Sequence, residues 1–386
     1  MKGMKRRLLT LLLATMLLPG CAAAEPEGGM ILLALNVGKA DCLLLESGGS
    51  VYMIDTGRAE SWGAVSSALR QLDIRRLDGV ILTHTDKDHA GGLWALAQSG
   101  VEVGGWYASA YYEGVKEKKH PAVLAAALRG ETVTWLKAGD ELPLPGGRLR
   151  VIGPMSPSDK ENNNSLVLAA EGPQGRMLLA GDMELPEEQE LLKAGAIPPC
   201  EVLKVGNHAE NDATGAALVE AVSPQVAVIS TNSVAEPDTP SPRVLSLLRS
   251  HGTQIYETQS AGLAVCVTLM DGGAQAQYLS SGALPEPVYT VELREKSAGR
   301  DSICVVHGGK GEVDLSGWYL YSERGRETFM FPEGTVLSPG QTLTVVSMSS
   351  KEPGDLVWPE EKVWHSSKED AACLYDAYGR LISRIK

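Results

Sequence analysis

Basic residues are in short supply. The 386 residues include 35 Lys or Arg against 48 Asp or Glu, a formal net charge of −13. Four of those cations, Lys2, Lys5, Arg6 and Arg7, crowd the N-terminus, and without them the charge is −17. This balance excludes a broad phosphate-binding surface, so a nucleic-acid ligand would need metals and a few local contacts. The run 116–119 is too short to form a basic patch and reads as a solvated helix end. Cysteine is scarce too. Beyond Cys21 there are only Cys42, Cys200, Cys266, Cys304 and Cys373, scattered and without a C-x-x-C pair. That excludes a disulfide framework or a metal knuckle and leaves small buried hydrophobes. Hydrophobic residues make up 44% of the chain, which suits a globular protein with room for two domains.

What is present begins with an address. The four early cations precede an apolar run, 8–18, too short to span a bilayer comfortably, which together read as a secretory signal. Leu18-Pro19-Gly20-Cys21 resembles a bacterial lipobox, predicting a signal segment over 1–21, lipidation at Cys21 and a membrane anchor outside the cytoplasm. Cleavage after Ala22-Ala23-Ala24 is the alternative and would release a soluble extracellular protein.

From residue 30 to 271 strand-like and helix-like runs alternate, the pattern of an α/β domain with mixed sheets. Strands are expected at 31–35, 42–45, 51–54, 79–82, 202–205 and 226–230, with 165–169 and 176–180 paired, and helices near 62–72, 186–192 and 244–250. Gly-rich and Pro-rich sequence at 272–287 predicts a linker. From 288 to 386 short β-rich runs separated by turn residues predict an antiparallel β-sandwich. Both phenylalanines of the chain, with Trp318, Trp358 and Trp364, fall there and read as its core rather than as a stacking platform.

The chemistry concentrates in His84-Thr85-Asp86-Lys87-Asp88-His89, after the apolar Val80-Ile81-Leu82 and before Gly91-Gly92. Two histidines and two carboxylates at a buried strand end are costly unless cations neutralise them. In an extended turn alternate side chains share a face, so His84 and Asp86 can meet one ion while Asp88 and His89 meet another. The plainer alternative is a solvated charged loop. Asp55-Thr56-Gly57, Gly181-Asp182 and Gly206-Asn207-His208 also close apolar runs, where α/β proteins gather functional groups. Nothing converges on His120, His251, His307 or His365, which read as surface or structural histidines.

Taken together, these motifs resemble the metallo-β-lactamase superfamily, and within it the hydrolase domain of ComEC-type competence proteins. That subgroup is matched at Asp86, at Asn36-Val37-Gly38-Lys39-Ala40-Asp41, at Asn164-Ser165-Leu166, at Leu203-Lys204-Val205-Gly206 and at Pro240-Ser241-Pro242-Arg243. Leu315-Ser316-Gly317-Trp318, Phe329-Met330-Phe331-Pro332 and Asp376-Ala377-Tyr378-Gly379 resemble a bacterial lamin-tail domain. The resemblance implies an αββα sandwich followed by an immunoglobulin-like β-sandwich. It implies two divalent ions, one on His84 and Asp86, the other on Asp88, His89 and His208, with Asp182 bridging. Zinc suits the histidines, and manganese suits the carboxylate-rich first site. Asp88 and Asp182 become the catalytic candidates, with water activated between the ions. Asp55, Asn164, Ser165 and Asn207 would orient ligands or substrate.

Departures from the family pattern affect the substrate side. Asn207-His208-Ala209-Glu210 stands where a His-His-Gly-Ser run is usual, and Thr239-Pro240 where His-Pro is usual, so Asn207, Glu210 and Thr239 predict a weakened or altered substrate shell. Two functions follow. One is an extracytoplasmic hydrolase of phosphodiesters such as nucleic acid. The other is a degenerate hydrolase fold serving as a binding or adhesion lipoprotein through its C-terminal domain, whose partner the residues do not specify.

Overall fold

The computed structural model describes residues 29–115 and 117–386; the expected signal segment, Cys21 included, and Lys116 lie outside them. Two sheets face each other. The first has eight strands in the spatial order Gly273–Leu279, Ala264–Met270, Met30–Leu35, Leu43–Ser47, Ser50–Ile54, Gly79–Leu82, Trp106–Ser109 and Val133–Leu136. Its pairing is antiparallel as far as Ser50–Ile54 and parallel beyond. The second has seven, in the order Gln254–Glu257, Val226–Ile229, Val202–Lys204, Gly175–Leu179, Val167–Gly172, Gly147–Gly153 and Glu141–Leu144.

The period-2 alternation of each strand builds the layers. Leu32 and Ala34 share the inter-sheet core with Leu149, Leu168 and Met177. Their neighbours Ile31, Leu33 and Leu35 turn to the outer helices Trp62–Gln71 and Leu93–Gln98. A strand covered on both faces must be apolar throughout, which is why 31–35 reads as one continuous run. Helix Trp62–Gln71 buries Trp62, Val65 and Leu69, one face of a 3.6-residue period. On the far side, Leu191, Leu218, Val222, Val244 and Leu248 from three helices cover Leu178, Leu203 and Ile229. The architecture is the αββα sandwich.

The expected linker at 272–287 needs correction. Residues 273–279 form a full edge strand, paired along its length with Ala264–Met270. Gly272, with φ near +98°, makes the tight turn between them rather than a domain break. The first domain therefore runs to Leu279 and the irregular connection begins only after it.

The C-terminal domain is a sandwich of two four-stranded sheets and a small strand pair. One correction applies to its strands: Thr342–Ser347 and Leu356–Trp358 pair in parallel, so it is not wholly antiparallel. Trp318, Phe329, Phe331, Trp358 and Trp364 fill its core. Tyr319, Tyr321, Met330 and Cys373 instead join the core beneath the first domain's helices. Ser66 Oγ donates to the Ala377 carbonyl at 3.0 Å, and Gln98 Nε2 to that of Thr328 at 2.9 Å. The backbones meet at two glycines, where a Cβ on Gly63 would stand 2.7 Å from Gly379 Cα. Gly63→Val is therefore expected to wedge the domains apart, at about 1–3 kcal/mol. Limited proteolysis should then cut the 280–290 connection faster, whereas an unchanged rate would mean the glycine contact does not hold the interface.

Candidate metal centre

The centre forms where two parallel strands end side by side. Ser50–Ile54 delivers Asp55, and Gly79–Leu82 delivers Thr83 and His84. Asp55 adopts φ near +59° and turns its buried carboxylate toward the neighbouring strand. There it accepts from Thr83 N and Thr83 Oγ1, both at 2.8 Å, and from His89 Nδ1 at 2.7 Å. Because a carboxylate can only accept, Nδ1 of His89 donates to Asp55 and Nε2 is the nitrogen left facing inward. Residues 87–90 form a helical turn, not the extended turn expected from the sequence, and this carries His89 under Asp55.

The other two histidines are anchored in the same manner. His84 Nδ1 lies 3.1 Å from Thr83 Oγ1 and 3.2 Å from Ser165 Oγ. His208 Nδ1 donates to the Ser230 carbonyl at 3.0 Å, from a turn in which Asn207, His208 and Ala209 all have positive φ. The three Nε2 atoms then converge on Asp182 Oδ2, at 3.9 Å from His84, 3.1 Å from His89 and 3.5 Å from His208. Asp86 stands 3.7 Å from His84 Nε2, and Asp88 3.7 Å from His208 Nε2. All six metal candidates are thus brought together, with Asp182 in the middle. His84, His89 and Asp182 have donor atoms close enough to share one ion, as do Asp88, His89 and His208.

The donor atoms themselves test the fit. His84 Nε2, His89 Nε2, His208 Nε2 and Asp182 Oδ1 are buried with no hydrogen-bond partner. Orphaned buried polar atoms cost about 1–3 kcal/mol each, and three nitrogens with a carboxylate oxygen are what a divalent ion of zinc or manganese type takes up. The electrostatics agree. Burial opposes ionisation of Asp182, but His208 and His89 outweigh it and hold the carboxyl well below its usual range. Burial opposes protonation of His89, and Asp182 with Asp55 reverses that.

The surrounding layer divides the remaining candidates. Ser165 orients His84 and also accepts from Asp182 N at 3.1 Å. Asn164 does not reach the cluster; its amide closes the 158–164 loop on Ser158 N and O, which corrects its expected role near the substrate. Asn207 faces Glu184 and Asp212, at 3.3 and 3.2 Å, and braces its turn from outside. Thr239 is buried and engaged with Thr231 Oγ1 and the Glu236 carbonyl, so it offers nothing to a substrate. Glu210 is engaged by Lys39 rather than left as a bare anion.

Several contributors had no role assigned from the sequence. Asp41 and Lys204 form a fully buried ion pair at 2.7 Å beside His208; a lysine inside the apolar run 202–205 was the available signal. Arg58 lies 3.3 Å from Asp88. Glu161 accepts from Thr85 N at 2.9 Å and from the Tyr112 hydroxyl, bracing the ligand loop.

The other four histidines lie apart from this cluster. His251 and His365 are exposed, and His307 is buried with Nε2 2.6 Å from the Gly311 carbonyl. His120 is the surprise: it is buried against Tyr112 and Trp135 with both ring nitrogens unpartnered. Burial pushes its pKa down to about 4.

Asp55→Asn removes the acceptor that fixes His89 and should weaken metal affinity ~10–100-fold, read by competition with a chelating dye; unchanged affinity would contradict the role given to Asp55. For His120, the unfolded chain takes up a proton near pH 6.5 while the folded chain resists until about 4. Its contribution to stability is therefore complete above 6.5 and is lost as pH falls through that window, by about 2–3 kcal/mol. Denaturation midpoints of wild type and His120→Phe should diverge between pH 6.5 and 4, and parallel profiles would contradict the assignment.

The chain is 28% identical over 262 residues to ComE operon protein 3 of Bacillus subtilis (strain 168), covering 63% of this chain and 33% of that protein. It is 28% identical over 260 residues to competence protein ComA of Neisseria gonorrhoeae, covering 66% and 35%. It thus spans about a third of the length of these relatives. Among solved structures it is similar to the metallo-beta-lactamase fold protein YhfI from Bacillus subtilis, at 11% identity and a TM-score of 0.39, covering 60% of this chain and 97% of that one. The Lamin Tail Domain model matches residues 285–386, so the C-terminal sandwich is a lamin tail domain. The Metallo-beta-lactamase superfamily model matches 35–233, just over half of the chain, and to that superfamily this chain belongs.

Proposed function

We propose that this protein is an extracytoplasmic metal-dependent hydrolase of phosphodiesters, with nucleic acid as the substrate class. The observation that carries the metal-dependent reading is the convergence of three unpartnered histidine nitrogens on Asp182. His84 and Asp86 would hold one ion, Asp88, His89 and His208 the other, and Asp182 both. Two bound divalent ions of zinc or manganese type would supply Lewis acidity and lower the pKa of water to about 7. The chain supplies the positioning. Asp55, Thr83, Ser165 and the Ser230 carbonyl hold each imidazole with Nε2 inward, and Asp41 with Lys204 closes the floor beneath His208. Asp88 is the ligand candidate whose carboxylate meets Arg58.

The substrate class rests on the competence proteins among the relatives and on the resemblance of the sequence motifs to ComEC-type hydrolase domains. A degenerate scaffold used only for adhesion is less favoured, because selection for a fold alone gives no reason to keep six donors converged and four of them unpaired. Among the described residues no helix is long and apolar enough to cross a membrane. Placement at a membrane surface therefore rests on the lipid anchor proposed at Cys21, and a soluble secreted form on cleavage after Ala24.

The test is metal content together with turnover. The purified chain should bind two metals and cleave DNA, RNA or bis(p-nitrophenyl) phosphate, while Asp182→Asn loses at least ~100-fold of that activity. Less than one metal per chain, or cleavage indifferent to Asp182→Asn, would overturn the proposal.

A further inference from the structure

Two cations stand at the mouth of the metal centre, Lys39 on the loop after strand Met30–Leu35 and Arg58 on the loop after Ser50–Ile54. Sequence places them 19 residues apart with nothing in common. The fold brings them together: Arg58 Nε donates to the Lys39 carbonyl at 3.3 Å. Both then converge on one anion, the Glu236 carboxylate, which lies 3.0 Å from Lys39 Nζ and 3.3 Å from Arg58 Nη2. The same Arg58 Nη2 lies 3.3 Å from Asp88, which stands 3.7 Å from His208 Nε2. A continuous chain of charge thus runs from Glu236 into the metal cluster.

We propose that Lys39 and Arg58 form the anion subsite for the substrate's phosphate, and that Glu236 occupies it as a built-in competitor until the substrate displaces it. The inference rests on the phosphodiester reading and names the residues that would recognise the substrate. A carboxylate bridging an ammonium and a guanidinium shows the donor geometry that the non-bridging oxygens of a phosphodiester need. The slot is accessible, since the Arg58 side chain is 31% and that of Glu236 41% exposed. The Arg58–Glu236 pair is of the exposed kind that contributes only about 0–1 kcal/mol, whereas Lys39 is 13% exposed, so Arg58 is the side from which a more highly charged ligand displaces Glu236. The two acidic neighbours differ in attachment. Glu210 follows the positive-φ turn of His208 and keeps Lys39 in place, whereas Glu236 belongs to the irregular segment 230–241 between strand Val226–Ile229 and helix Pro242–Ser250. Burial opposes protonation of Lys39, but Glu210 and Glu236 reverse this, so it is a standing positive charge. In a chain of net charge −13, a slot closed to weak anions and open to polyanions is a means of selecting the substrate.

The experiment is calorimetric titration of the zinc-loaded chain, free metal removed, with inorganic phosphate. Wild type is compared with Glu236→Gln, Arg58→Gln/Glu236→Gln and Lys39→Gln/Glu236→Gln, and metal content is measured on each. Glu236→Gln should bind phosphate about fivefold tighter, and either second substitution should abolish the gain. An unchanged Kd in Glu236→Gln, no phosphate binding at all, or a gain that survives in either double variant would overturn the subsite. Hydrolysis of bis(p-nitrophenyl) phosphate by the same proteins separates the two proposals. The predicted affinity pattern without any hydrolysis keeps the subsite and overturns the phosphodiesterase. Hydrolysis with an unchanged Kd in Glu236→Gln overturns the subsite alone.

Discussion

The Asp55 carboxylate is the constraint on which the site depends. It accepts from Thr83 N, Thr83 Oγ1 and His89 Nδ1, all within 2.8 Å. One anion therefore joins the ends of two parallel strands, turns the chain out of the sheet and sets which nitrogen of His89 faces inward. The arrangement works because strands Ser50–Ile54 and Gly79–Leu82 are neighbours in register, Ile54 beside Ile81. Sheet pairing, itself fixed by alternating burial toward two cores, is in this way converted into the placement of a ligand. His84 and His208 repeat the device with different partners, which makes the centre a product of outer hydrogen bonds as much as of its six inner residues.

Much of this was legible in the sequence, and the reason is local. Asp55 and the 84–89 run directly follow strongly apolar strands, so strand ends and ligand candidates could be read together. The edge strand Gly273–Leu279 was not legible, because its Gly-Ala-Gln-Ala-Gln-Tyr sequence lacks β-branched residues and its first glycine imitates a linker. Its strand character comes from hydrogen bonds to Ala264–Met270, a partner that sequence periodicity does not report. Asn164 misled for a different reason: it sits one residue before Ser165, whose hydroxyl does reach His84, and a one-residue offset decides which side chain faces the site. Lys39, Arg58 and Glu236 are single charges that acquire meaning only when three loops meet.

Burial and charge are allocated unevenly, and this shapes the chemistry. The three histidine Nε2 atoms and Asp182 Oδ1 are buried without partners, Asp41 and Lys204 are buried as a pair, and Arg58 with Glu236 remains at the surface. The floor of the site is thus fixed and its mouth exchangeable. The lamin tail domain docks on helices Trp62–Gln71 and Leu93–Gln98, the helical layer that begins just beyond Arg58 and the 84–92 segment. It packs on the scaffold from outside without supplying a residue to the metal cluster.

The proposed function stands or falls on a dinuclear centre around Asp182. Anomalous diffraction at the zinc edge from crystals of the zinc-loaded protein tests it most directly. Two peaks are expected on either side of the Asp182 carboxylate, one bordered by His84 and Asp86, the other by Asp88, His89 and His208. No peak within this cluster, or zinc held only at surface carboxylates, would contradict the account.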